Sequence, residues 1–99
     1  MSEDAQSLEN LLKEVYEWQL ATFPHSNAFS KAKHLESEVK ELLEDPSDQG
    51  ELADCFFLIV GAIMSQGYDI AEIVRAKLEI NKARTWGKPD ENGVVEHVR

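Results

Sequence analysis

The chain has 99 residues and carries 19 Asp and Glu against 10 Lys and Arg, a formal net charge of −9. That length is one domain with a core only marginally able to stand alone, so residues 1–99 are read as a single domain. A content of 42% hydrophobic and 29% charged residues fits a folded chain, while the acidity makes a nucleic acid polymer a poor partner.

The first helical pattern is Leu8, Leu11, Leu12, Val15 and Trp18 or Gln19, which predicts a helix over about 5–22. Phe23-Pro24-His25-Ser26-Asn27 breaks it and can cap a second helix over about 28–45, with Ala28, Ala32, Leu35, Val39, Leu42 and Leu43 inward. After the turn Asp45–Gly50, a third helix over about 49–66 is apolar nearly all round, which marks a buried helix. Gly67 is a stop signal, and Asp69-Ile70-Ala71-Glu72 has the form of a capping box for a fourth helix reaching about 84. From Thr85 onward, Trp86-Gly87-Lys88-Pro89 and Glu91-Asn92-Gly93 predict a turn with short extended pieces. The single Cys55 excludes an intramolecular disulfide, and its apolar setting suggests a buried thiol in a reducing compartment. The N-terminus lacks an apolar signal core and no apolar run reaches spanning length, so the expected setting is cytoplasmic, away from a membrane.

Two acidic pairs carry the chemistry. Glu38-Val39-Lys40-Glu41 and Glu51-Leu52-Ala53-Asp54 flank a nine-residue connection, and the i,i+3 spacing of each puts both carboxylates on one helix face. The second pair opens the most apolar stretch, where an acid is costly unless a positive charge compensates it. Oxygen donors on two facing helices suit a hard divalent cation, above all Mg²⁺ with Mn²⁺ as the alternative, and Mg²⁺ recruits phosphate oxygens as further ligands. The chemistry implied is metal-assisted hydrolysis at phosphorus. An anionic nucleoside triphosphate would reach so acidic a chain through such ions or locally placed cations.

On the second helix Lys31, His34, Glu38, Glu41 and Asp45 flank the apolar stripe. On the fourth, an apolar face (Ile70, Ile73, Val74) turns basic and polar at Lys77, Asn81 and Arg84, as if to meet the metal site or a phosphate there. Each signal has a plainer reading. Glu38 and Glu41 could pair at the surface with Lys31, Lys33 and Lys40, and Glu51 could merely complete a cap begun by Asp48. Lys77 and Arg84 could snorkel or pair with acids of the second helix. Trp18 could be core or a base-stacking platform beside the Phe23–Asn27 turn, with Trp86 a second aromatic candidate. His34 sits on the acid flank as a supporting or surface residue.

The pattern Glu38-x-x-Glu41…Glu51-x-x-Asp54, followed by Lys77-x-x-x-Asn81, resembles the all-α nucleoside triphosphate pyrophosphohydrolases of the MazG-like superfamily. Asn81-Lys82-Ala83-Arg84-Thr85-Trp86-Gly87 and Gly93-Val94-Val95-Glu96-His97 are similar to the tail of a compact, phage-associated dATP/dGTP diphosphohydrolase branch, which shares the short connection. The resemblance implies an all-α four-helix bundle with a short irregular C-terminal tail, assembled as a homodimer or homotetramer. It implies that Glu38, Glu41, Glu51 and Asp54 hold Mg²⁺ and that Lys77 and Asn81 lie near the phosphates. The expected reaction converts a (deoxy)nucleoside triphosphate, with purine deoxynucleotides favoured, to monophosphate and pyrophosphate. The alternative classes are a non-catalytic acidic helical dimerisation module and an acidic DNA mimic.

Overall fold

Each helix starts at a residue whose side chain occupies backbone N–H groups that the first turn cannot pair. The computed structural model describes residues 7–98 and contains α1 (Leu8–Thr22), α2 (Ala28–Glu44), α3 (Gln49–Ser65) and α4 (Ile70–Ala83). Ser7 Oγ accepts from the Asn10 amide at 3.1 Å, and Asp48 accepts from the Glu51 amide at 3.0 Å. Asp69 caps α4 through the Ala71 and Glu72 amides. The reciprocal capping box forms instead on α2, where Asn27 accepts from the Ser30 amide and Ser30 Oγ accepts from the Asn27 amide. The four expected helices are present; α2, α3 and α4 end within about a residue of expectation, while α1 begins at Leu8 with Ser7, expected inside it, as its cap. Positions 5 and 6 of the expected first helix lie outside the described residues.

The short turn after α2 returns α3 along it, and these two helices form the most extensive pair; α1 covers a second side of α3. Gly67, at φ +80°, supplies the left-handed residue that stops the chain beyond α3. The chain then turns by 106° into α4, which touches α3 only slightly and has no buried residue. Beyond α4 the tail folds back on itself through an isolated antiparallel bridge between Trp86 and His97. Gly93, at φ +82°, makes the reversal, and Asp90 accepts from the Asn92 and Val94 amides. Trp86 Nε1 donates to the Asn81 carbonyl at 2.9 Å, fastening this loop to the end of α4.

Two expectations about burial need correction, those for Leu43 and Lys31. The third helix, apolar nearly all round and expected to need more cover than its own three neighbours supply, is only partly covered: within one chain Cys55, Val60 and Gly61 are buried on it, and Leu52, Phe56 and Ile59 stay more than 40% exposed. Two neighbouring helices cannot enclose an apolar cylinder, and α4 departs instead of closing over it. Leu43, expected inward, is 74% exposed. Lys31, placed on the acidic flank, is 6% exposed and is the buried residue of α2.

Candidate functional site

Helix geometry brings the two acidic pairs together across the α2–α3 contact. One carboxylate oxygen each from Glu38, Glu41 and Glu51 lie within 4.8 Å of one another. Asp54, one turn after Glu51, is not part of this trio, but its charge raises the pKa of both Glu41 and Glu51. Among the described residues no Lys or Arg comes within ion-pair distance of these four acids. Lys33 pairs with Glu36 and not with Glu38 or Glu41, which removes the surface ion-pair reading of the cluster.

Like charges held this close oppose ionisation. Glu51 is pushed up from its usual 4.5 to about 7, chiefly by burial, then by a proton shared with Glu38 and the charges of Glu38, Glu41 and Asp54. Its place in the first turn of α3 favours a carboxylate through the helix dipole, so burial and acidic neighbours outweigh that help. Glu41 is raised mainly by the charge of Glu38. Burial, and then the same acids, raise the Cys55 thiol, which keeps it protonated and unreactive. The second oxygen of Glu51 is buried without a hydrogen-bond partner. Three convergent carboxylates with an orphaned buried oxygen fit a divalent cation, whose charge would reverse the repulsion.

Two of the four acids border a cleft of about 450 Å³ between α1, the Phe23–Asn27 turn, α2 and α3. Glu38 and Asp54 line it, and His34 Nε2 lies 3.1 Å from a Glu38 oxygen. Trp18 and Phe23 form its aromatic wall, packed edge to face with ring centroids 5.5 Å apart. Trp18 is 54% exposed, so it is a surface of the cleft and not a core residue.

Sequence reasoning missed the polar floor of this cleft. Gln19 and Lys31 are each 6% exposed and both line it. Gln19 Nε2 donates to the Phe57 carbonyl at 2.8 Å, and Lys31 Nζ donates to Ser26 Oγ at 2.8 Å. Both reach over Gly61: a Cβ there would fall against Gln19 Oε1 and lie 2.7 Å from Lys31 Cε. A glycine inside an otherwise apolar helix, and the spacing Lys31–His34–Glu38 on one face, were the available signals.

The structure does not bring the expected basic end of α4 to the cleft within one chain. Lys77, Asn81, Arg84 and Trp86 are absent from its lining. Lys77 makes no ion pair, Asn81 Oδ1 is buried without a partner, and Trp86 is engaged with the tail, its ring edge against His97. The salt bridges offered as the plainer reading of Lys77 and Arg84 are also not formed.

Comparison with known proteins follows the same geometry. A family model described as dATP/dGTP pyrophosphohydrolase matches residues 11–99. A dATP/dGTP diphosphohydrolase of cyanophage S-2L is 41% identical over 69 residues, 68% of this chain and 64% of that protein. One of Salmonella phage PMBT28 is 31% identical over 93 residues, 93% of this chain and 32% of that protein. The match thus spans less than two thirds of either relative. A solved structure of a cyanophage S-2L MazG-like pyrophosphohydrolase, bound to dGDP and three catalytic Mn²⁺ ions per active site, has a TM-score of 0.81 at 30% identity. That likeness covers 95% of this chain and 99% of the other. Four helices, facing acidic pairs and a family match over nearly the whole chain lead to one assignment: the chain belongs to the dATP/dGTP pyrophosphohydrolase family.

Proposed function

We propose that this chain hydrolyses purine deoxynucleoside triphosphates to the monophosphate and pyrophosphate, using divalent metal ions held by Glu38, Glu41 and Glu51 with Asp54 beside them. The observation that carries this reading is the convergence of three carboxylates with no Lys or Arg within ion-pair distance, one of which, Glu38, also lines a cleft whose wall is Trp18. When bound, the ions supply a water of lowered pKa and neutralise charge developing on the phosphates. His34 steadies the Glu38 oxygen it touches. Trp18 offers a half-exposed ring on which a base can stack, with Phe23 packed perpendicular to it. An inert dimerisation module or a DNA mimic gives no reason for acids to converge on a buried, unpartnered oxygen.

Assembly belongs to the same proposal. A broad apolar groove of about 950 Å³, lined by Leu8, Leu12, Phe56, Met64, Val74 and Leu78 among others, lies open between α1, α3 and α4. A second copy of the chain would cover it, giving the homodimer or homotetramer expected from the resemblance. It would also give Lys77, Asn81 and Arg84 an anionic neighbour that one chain does not provide.

The direct test is to incubate the protein with Mg²⁺ or Mn²⁺ and a panel of nucleotides, scoring pyrophosphate separately from orthophosphate. Pyrophosphate from dGTP and dATP, abolished by EDTA, is the expected result; orthophosphate alone would overturn the reading. Trp18→Ala should weaken dGTP and dATP binding by about ten- to a hundredfold, the range for losing one aromatic stack. Pyrophosphate binding and melting temperature should change little, because the ring is half exposed. A uniform loss across base-bearing and base-free ligands would assign Trp18 to stability alone.

A further inference from the structure

Lys31 is a buried cation that the reaction proposed above does not use. Its side chain is among the most enclosed in the protein, and the acceptor it has is the neutral Ser26 hydroxyl. An ammonium has three N–H groups and no acceptor. Two donors therefore remain, in a place where an unpaired charge is costly. The surroundings hold this arrangement in place. Gln19 is fixed by its bond to the Phe57 carbonyl, its own Oε1 is buried without a donor, and Gly61 leaves the space in which both side-chain ends meet.

The position of Lys31 relative to the acids limits what it can address. Lys31 and Glu38 are seven residues apart on α2, hence on nearly the same face and about 10 Å apart along the axis. Both line the cleft, with His34 between them. A phosphate held at Glu38 would leave the sugar near His34 and the base near Lys31. Trp18 and Phe23 supply the aromatic wall of the same cleft. The group met by Lys31 should thus be a strong neutral acceptor on a flat ring. Guanine carries two adjacent ones, N7 and O6, on one edge, whereas adenine carries N7 beside an N6 amino donor. A donor-only ammonium complements the first edge fully and the second by half.

We propose that Lys31 is a specificity-determining residue, reading the N7/O6 edge of a guanine from the floor of the cleft, with Gln19, Ser26 and Gly61 positioning its ammonium. This rests on the nucleotide reading of the cleft, and it ranks guanine above adenine as substrate.

The test compares kcat/KM for dGTP, its 7-deaza analogue (no N7), the triphosphate of 2-aminopurine deoxyriboside (no O6) and 2-deoxyribose 5-triphosphate (no base), with Mn²⁺, in wild type and Lys31→Met. The wild type should lose about tenfold or more for each missing acceptor, as expected for a hydrogen bond to a charged donor. Lys31→Met should lower dGTP below either analogue in wild type, since it removes both hydrogen bonds, abolish the penalty each analogue carries, and reduce the ratio of dGTP to the base-free substrate. Penalties that persist in Lys31→Met, or equal losses for dGTP and the base-free triphosphate, would overturn the inference; the latter would make Lys31 a phosphate ligand. If Lys31→Met does not fold, the wild-type series decides together with Lys31→Arg, which keeps donors and should keep the acceptor penalties. No penalty for either analogue in wild type overturns the inference and leaves the proposed function standing. A wild type that hydrolyses no triphosphate overturns both.

Discussion

Glu51→Gln should lower pyrophosphate release by at least about a hundredfold while raising the melting temperature of the metal-free protein at neutral pH. Losing a group that merely orients a metal ligand typically costs about 10–100-fold in affinity or activity, and Glu51 stands among the proposed ligands themselves. The stability change has the opposite sign because the ionised trio repels itself. Glu51 has a folded-state pKa of about 7, above its usual 4.5. Its contribution is therefore fully present below about 4.5 and is lost as pH rises through about 7. Metal-free wild type should weaken across that window relative to Glu51→Gln, which has no proton to lose. Saturating Mn²⁺ should invert the order, stabilising the wild type at pH 7–8 and leaving the variant nearly unmoved. Melting curves with and without Mn²⁺ at pH 5 and 8 give all four comparisons. A variant that keeps its metal-induced shift and its activity would remove Glu51 from the metal site. Asp54→Asn, a change of charge with little change of volume, should also cut activity, though it lies outside the closest trio.

If the proposed assembly forms, Val74→Asp should convert it into an aggregation-prone or unstable monomer. Val74 is 56% exposed in the single chain and lies in the apolar groove with Phe56, itself 44% exposed. If a second copy covers this groove, the aspartate is buried without a partner, a cost of several kcal/mol that weakens association by roughly a hundredfold or more. Sedimentation velocity at micromolar concentration should show a dimer or tetramer for the wild type and a smaller species for the variant. A wild-type monomer with full activity would refute the assembly. If folding and association are coupled, the wild-type melting temperature should also rise with protein concentration.

The helices were legible because periodicity and capping are local. Asn27, Asp48 and Asp69 stand where their side chains close the first turns of α2, α3 and α4. The acidic trio was legible for a related reason: i,i+3 spacing fixes each pair on a face, and a short turn leaves α2 and α3 little choice but to face each other. Lys31 was not legible. A lysine beside glutamates reads as a solvated flank, and its burial depends on Gln19 of α1 and the missing side chain at Gly61 of α3, both distant in sequence. The exposure of Leu52, Phe56 and Ile59 on α3 goes with the direction taken by α4, which no residue pattern encodes locally.

The loop fastened by Trp86 has a consequence for how the molecule opens. Its bonds run to itself and to the end of α4: the Trp86 indole to the Asn81 carbonyl, the Gly87 amide to the Glu96 carbonyl, and the Val98 amide to the Thr85 carbonyl. Helix and loop therefore share their strongest bonds with each other and few with α1–α3. Such a piece behaves as a cooperative unit of its own. Its amides should exchange with deuterium together and earlier than those of α2 and α3. They should slow if association covers the groove, so that exchange in residues 70–98 would become an atom-level gauge of the proposed assembly.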